Sequence, residues 1–207
     1  MQPWTWEDAV RLGKMMLAVV GATVLLAGLV GSASARNLST SSQLLRASWT
    51  RVDFSGGFGT LECEVVVEGS FHGRTISKTV GTLSGFITAA AVIRCARGGA
   101  TVLRESLPWH VQYASFTGRL PNITTIGATI VGVSFSIRDP GTGSTCLARA
   151  INPIMTFGRE ASGATTSASV SGTAVCRGPF IEVEGELGGT TTNVDNRSGS
   201  RITVTLI

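Results

Sequence analysis

The chain reads as all-β, an antiparallel sandwich or barrel of roughly nine to eleven strands preceded by a helical signal peptide. Three observations predict this. Apolar residues recur at every second position through much of the chain. Clusters rich in Gly and Pro part these runs. All four cysteines lie downstream of one uncharged apolar segment near the N-terminus.

That segment comes first. Arg11 and Lys14 precede the 16 uncharged residues Met15 to Val30, and Gly31-Ser32-Ala33-Ser34-Ala35 follows. Ala33 and Ala35 give the small-x-small pattern that a signal peptidase accepts. The expected cut follows Ala35. The rival is an uncleaved anchor, but the run falls short of the roughly 20 residues that span a bilayer. Glu7 and Asp8 are unusual in a leader and point to a later start at Met15 or Met16, or to a long leader. The expected organisation is a signal peptide over 1–35, a flexible polar lead-in over 36–45, and one disulfide-linked β domain over 46–207.

Within the domain, Leu61, Cys63, Val65 and Val67 alternate with Glu62, Glu64, Val66 and Glu68. Such period-two alternation marks a half-buried strand. In the run Phe86 to Cys95, the same logic places Ile87, Ala89, Ala91, Ile93 and Cys95 on the inner face. Val131, Val133, Phe135 and Ile137 form another inner row. Ile181, Val183 and Leu187 oppose Glu182, Glu184 and Glu186, and Ile202, Val204 and Leu206 alternate with Thr203 and Thr205. Turn signals separate these runs at Ser55-Gly56-Gly57, Gly98-Gly99, Asp139-Pro140-Gly141, Gly188-Gly189 and Ser198-Gly199. Glycine supplies positive φ there and proline presets its own φ. Glu160 to Ser169 reads as a surface loop or hairpin tip. A faint echo links Val67–Gly73 to Val183–Gly189, either as two related halves or as two strands with similar demands.

Four cysteines in an exported chain read as two disulfides. Cys63 and Cys95 share the inward side of their strands, so they are paired here, which leaves Cys146 with Cys176. Each bridge closes a loop of roughly 30 residues, worth about 3–4 kcal/mol in the chain-entropy account. No C-x-x-C occurs and the two histidines lack ligand spacing from the cysteines, so no metal or cofactor is expected.

Composition narrows the function classes. Charged residues make up 14% of the chain, well below the usual quarter, while the net charge is +4. The basic residues are scattered and not interleaved with aromatics, which argues against nucleic acid as a partner. Low charge with abundant Val, Ile, Ala and Thr also argues against disorder.

The run Cys63-Glu-Val-Val-Val-Glu-Gly-Ser-Phe-His-Gly73, with Thr75-Ile76, Lys78 and Ser106-Leu-Pro-Trp-His-Val-Gln-Tyr113, resembles uncharacterised secreted β-rich proteins of high-GC Gram-positive bacteria. That group has no assigned activity. The resemblance implies export and a β fold and brings no catalytic residues with it.

Candidate chemistry is sparse. His72 and His110 are the only histidines, and no G-x-S-x-G elbow accompanies them. Trp109, His110 and Tyr113 form the densest aromatic stretch and are the candidate ligand-binding residues, as a stacking platform for a sugar ring. The competing reading puts Trp109 and Tyr113 in the core and His110 on the surface. Glu62, Glu64 and Glu68, and likewise Glu182, Glu184 and Glu186, stand at two-residue intervals. Side chains so spaced, roughly 7 Å apart, suit a glycosidase pair or Ca²⁺, although outward acids also simply keep a sheet wet. No catalytic residue is assigned. The leading expectation is a non-enzymatic module at the cell surface or in the medium, with a cell-wall or extracellular glycan or a protein as partner. The membrane is met only through an uncleaved leader. A secreted glycan-active hydrolase using a Glu pair is the alternative.

Overall fold

Alternating strands leave each sheet with one apolar face, which must either find a second layer or close on itself. Here the sheet closes. The computed structural model describes residues 37–57, 59–119, 122–139, 141–159, 164–177, 182–191 and 193–207. The leader with its cleavage motif, the centre of the loop before Ala164, and Ile181 lie outside these residues.

Fourteen strands occur among the described residues, together with a single turn of 3-10 helix at Arg104–Ser106. The first seven are β1 (Asn37–Thr40), β2 (Leu44–Gly56), β3 (Gly59–Phe71), β4 (Thr75–Ser77), β5 (Leu83–Cys95), β6 (Gly99–Val102) and β7 (Trp109–Arg119). Then come β8 (Asn122–Val131), β9 (Ser134–Arg138), β10 (Thr145–Arg159), β11 (Thr165–Arg177), β12 (Glu182–Thr191), β13 (Asn193–Asp195) and β14 (Val204–Leu206).

Eight of them form an antiparallel ring in sequence order: β2, β3, β5, β7, β8, β10, β11 and β12. The pairing of β12 back onto β2, Glu186 to Gly189 against Val52 to Ser55, shuts it. The predicted sandwich-or-barrel is therefore resolved as an up-and-down barrel, an arrangement whose ring has no free edge where neighbours are fully paired.

Two small additions stopper the ends. At one end, β1 lies between β14 and β4 in a separate three-stranded sheet. Leu38 and Ile76 from this sheet, with Ile202 beside it, are buried over the barrel opening. Asn37–Thr40 thus lies within the stretch expected to be a flexible lead-in but forms a strand, with Leu38 fully buried and Thr40 nearly so. Its neighbours in space come from residues 75–77 and 204–206, far away in sequence. At the other end, β9 extends the line of β8 along β10, and β6 pairs with β9. Phe135 is held there edge-on between Phe54 and Trp109, with centroids 5.0 and 5.7 Å away.

Closing a sheet into a narrow ring demands sharp local coiling, and bulges supply it. Each single-residue bulge moves the inward face by one position. In β2 the inner residues are Leu45, Ala47 and Trp49, then Val52 and Phe54, because the register slips between Trp49 and Val52. In β5 two slips occur, at Thr88 and at Ile93. The first moves the inner row from Ile87 to Ala90 and Val92, and the second restores it at Cys95. Ala89, Ala91 and Ile93, expected inside, therefore face outward, and Ile93 is 56% exposed. Gly132-Val133 breaks the expected row of Val131 to Ile137 into two strands, so that Ile130 points inward and Val131 is only half-buried. Glycine matters most at Gly69 and Gly85, where any Cβ would collide with the carbonyl of Phe86 or Ser70 on the facing strand.

Both expected disulfides are present. Cys63 and Cys95 stand directly opposite each other on β3 and β5, with Cα atoms 4.0 Å apart. Cys146 and Cys176 link β10 to β11, with Cα atoms 5.6 Å apart. Two bulges cancel between Ile87 and Cys95, so the cysteine keeps the inward side that alternation predicts. Both bridges sit towards the β6–β9 end.

Candidate functional site

The expected stacking platform is split by the wall of the barrel. Odd positions of β7 point inward, so Trp109, Val111 and Tyr113 line the interior at 2, 4 and 4% exposure. The Trp109 indole donates to Ser106 Oγ at 2.9 Å, which satisfies its N–H without solvent. Burial also pushes the Tyr113 phenol pKa above its ordinary value. Neither ring offers a face to a sugar. Of the three candidates only His110 is exposed.

Outside, His110 has a neighbour that the sequence did not announce. Phe86 lies between His72 and His110, with centroids 4.8 and 5.1 Å from theirs. The two histidines of the chain thus share one patch of outer wall, brought together by the β3–β5–β7 register. Phe86 is tilted against His72 and edge-on to His110, so the three rings form no flat platform.

Among the described residues, two small voids lie in the interior. A void of about 40 Å³ lies beneath the three-stranded stopper, among Leu38, Phe71, Ile76, Tyr113 and Phe157. A second of similar size lies mid-barrel, among Trp49, Ile87, Trp109, Phe135 and Met155. Pockets for small ligands run to roughly 300–1,000 Å³, far larger than either.

The roomier cleft, about 450 Å³, lies on the outer wall by the Cys63–Cys95 bridge. Arg51, Glu62, Glu64 and Arg94 flank it. The β2 bulge turns Arg51 outward next to Asp53. Its Nε donates to both Asp53 oxygens at 2.8 and 3.1 Å, and Nη2 reaches Glu62 at 3.0 Å. These partners raise the Arg51 pKa, the Asp53 hydrogen bond most of all. Arg94 Nε donates to Glu64 at 2.9 Å. Further along the wall, Glu68 lies between Arg46 at 3.8 Å and Arg197 at 3.3 Å.

Each of the three β3 glutamates therefore has an arginine partner. Of the second acidic row, Glu186 is exposed, while the side chains of Glu182 and Glu184 lie outside what is described. Among the described residues, no three His, Cys, Asp or Glu side chains gather closely enough to hold a metal ion. The arginines of the cleft were individually visible in the sequence. Their pairing was not, because it depends on strand register and on a bulge. Comparison with family models, curated proteins and solved structures finds no match for this chain.

Proposed function

We propose that this is an exported, non-enzymatic β-barrel module that acts from its outer wall, at the cell surface or in the extracellular medium. The interior carries the reading: among the described residues its two voids of about 40 Å³ are too small to hold a substrate or a carried ligand inside the barrel. The apolar segment ending near Ala35 and the two disulfides support export. The resemblance to secreted β-rich proteins of high-GC Gram-positive bacteria belongs to the same proposal. The partner is a surface glycan or a protein, met by polar and charged side chains that already face solvent.

Two measurements test it. N-terminal sequencing of protein recovered from the culture medium should begin at Arg36. Panels of polysaccharide and ester substrates should show no turnover. Turnover abolished by Glu64→Gln or Glu184→Gln would install the hydrolase reading instead.

A further inference from the structure

We infer that the outer-wall cleft by the Cys63–Cys95 bridge is a binding site for a free amino acid in its zwitterionic form. The inference rests on the outer-wall reading above and adds a small ligand to it. At about 450 Å³ the cleft falls within the range of roughly 300–1,000 Å³ common to small-ligand pockets. Each interior void, at about 40 Å³, falls far below it.

Strand register builds the site. On one side of β3, Thr50 and Arg51 bulge out of β2 between the pairs Trp49–Val65 and Val52–Cys63, and so stand opposite Glu64. On the other side Arg94 pairs with Glu64, and the slip at Ile93 adjoins it. Bulges re-aim side chains, and here two of them flank one stretch of β3. Ala96 lies beside Glu62, its N–H bonded to the Glu62 carbonyl. Its lone methyl leaves the space between the longer side chains open. The disulfide ties β3 to β5 along the cleft, so the backbone that carries Glu62, Glu64 and Arg94 is held before a ligand arrives.

Charge selects the occupant. Arg51, Glu62, Glu64 and Arg94 line the cleft, and their formal charges cancel. Asp53 binds Arg51 from outside the lining, and exposed Arg97 does not reach it. Each ion pair leaves polar atoms over. Arg94 spends its Nε on Glu64, its two terminal nitrogens have no partner among the described residues, and its side chain is 83% exposed. Glu62 meets Arg51 through Oε1, which leaves Oε2 without a partner among the described residues. A plain anion would meet two carboxylates in this cleft, and a plain cation two guanidiniums. A zwitterion avoids both conflicts: its carboxylate takes the Arg94 terminal nitrogens and its ammonium takes Glu62 Oε2.

The test uses the protein with both disulfides intact and three probes near neutral pH: alanine, N-acetylalanine, which keeps only the carboxylate, and alaninamide, which keeps only the ammonium. Titration followed by backbone amide chemical shifts should show saturable binding of alanine, at least about fivefold tighter than either control. The shifts should gather at Thr50 and Arg51, at Glu62 to Glu64 and at Arg94 to Ala96. Arg94→Gln and Glu62→Gln should each weaken alanine binding about tenfold without changing the melting temperature, because both side chains are exposed. The inference falls if N-acetylalanine or alaninamide binds as tightly as alanine, or if the shifts centre elsewhere on the wall. It falls equally if both variants bind alanine as the unaltered protein does, or if no saturation is seen by about 50 mM. Failure of alanine binding removes only this ligand, whereas catalytic turnover would remove the reading beneath it.

Discussion

Tyr113 is the only tyrosine in the chain, and its phenol lies inside the barrel. Burial disfavours the phenolate, so its folded pKa lies above the value of about 10 that an unfolded chain would show. The sign follows directly. The stabilising contribution is fully present below the unfolded pKa and is lost as pH rises towards the folded one. Spectrophotometric titration reports this one residue. The tyrosinate band should appear above the ordinary range and together with unfolding. A band rising reversibly near pH 10 in a protein that stays folded would put the phenol in water and reopen the stacking platform. The sequence did carry the geometry of β7, since Trp109, Val111 and Tyr113 fall on one side of any strand. Of the two readings it left for that side, burial bears out the one that puts Trp109 and Tyr113 in the core and His110 on the surface. The indole's partner, Ser106, sits in a turn that alternation does not reveal.

Strands were legible where alternation ran unbroken, as in β3, and misread in β5, where two bulges intervene. In β5 two slips exchange the faces of Ala89 to Ile93, yet leave Cys95 where an unbroken strand would put it. The disulfide pairing was thus correct although the row between was inverted. At β1 the obstacle was distance, not register. Asn37-Leu38-Ser39-Thr40 is short and polar, and its strand character comes from β4 and β14, which lie far along the chain. Leu38 is fully buried in the stopper. Leu38→Ala should cost about 3 kcal/mol, as for large-to-small changes in a packed core. Chemical denaturation checks this: the midpoint should fall with the m-value unchanged. A loose lead-in would instead tolerate the substitution within about 0.5 kcal/mol.

At the scale of the molecule, closure was the feature that alternation could not decide. A sandwich and a barrel make the same demand on each strand, and only the return of β12 to β2 distinguishes them. Closure then fixes which residues meet the surroundings. The outer wall carries Arg46, Arg51, Arg94 and their acidic partners, together with hydroxyls such as Thr117 facing Thr124 and Thr125. A membrane-spanning barrel reverses this order, with an apolar band about 25 Å tall outside and aromatic girdles at its rims. Here the aromatic residues Trp49, Phe54, Trp109, Tyr113, Phe135 and Phe157 are buried inside. Among the described residues of the ring strands, the large apolar side chains exposed outright are Leu44 on β2, Ile93 on β5 and Leu147, Ile151 and Ile154 on β10, three of the eight ring strands, which make no continuous band. Each wall arginine placed at mid-bilayer would cost roughly 2–4 kcal/mol, and several would have to enter together. Purified barrel added to dye-loaded phosphatidylcholine liposomes at neutral pH should therefore release no more dye than buffer. Release that scales with protein concentration would require these arginines to leave the outer face. That means a one-residue slip of β2 and β3, which would also carry Trp49 and Leu61 out of the core.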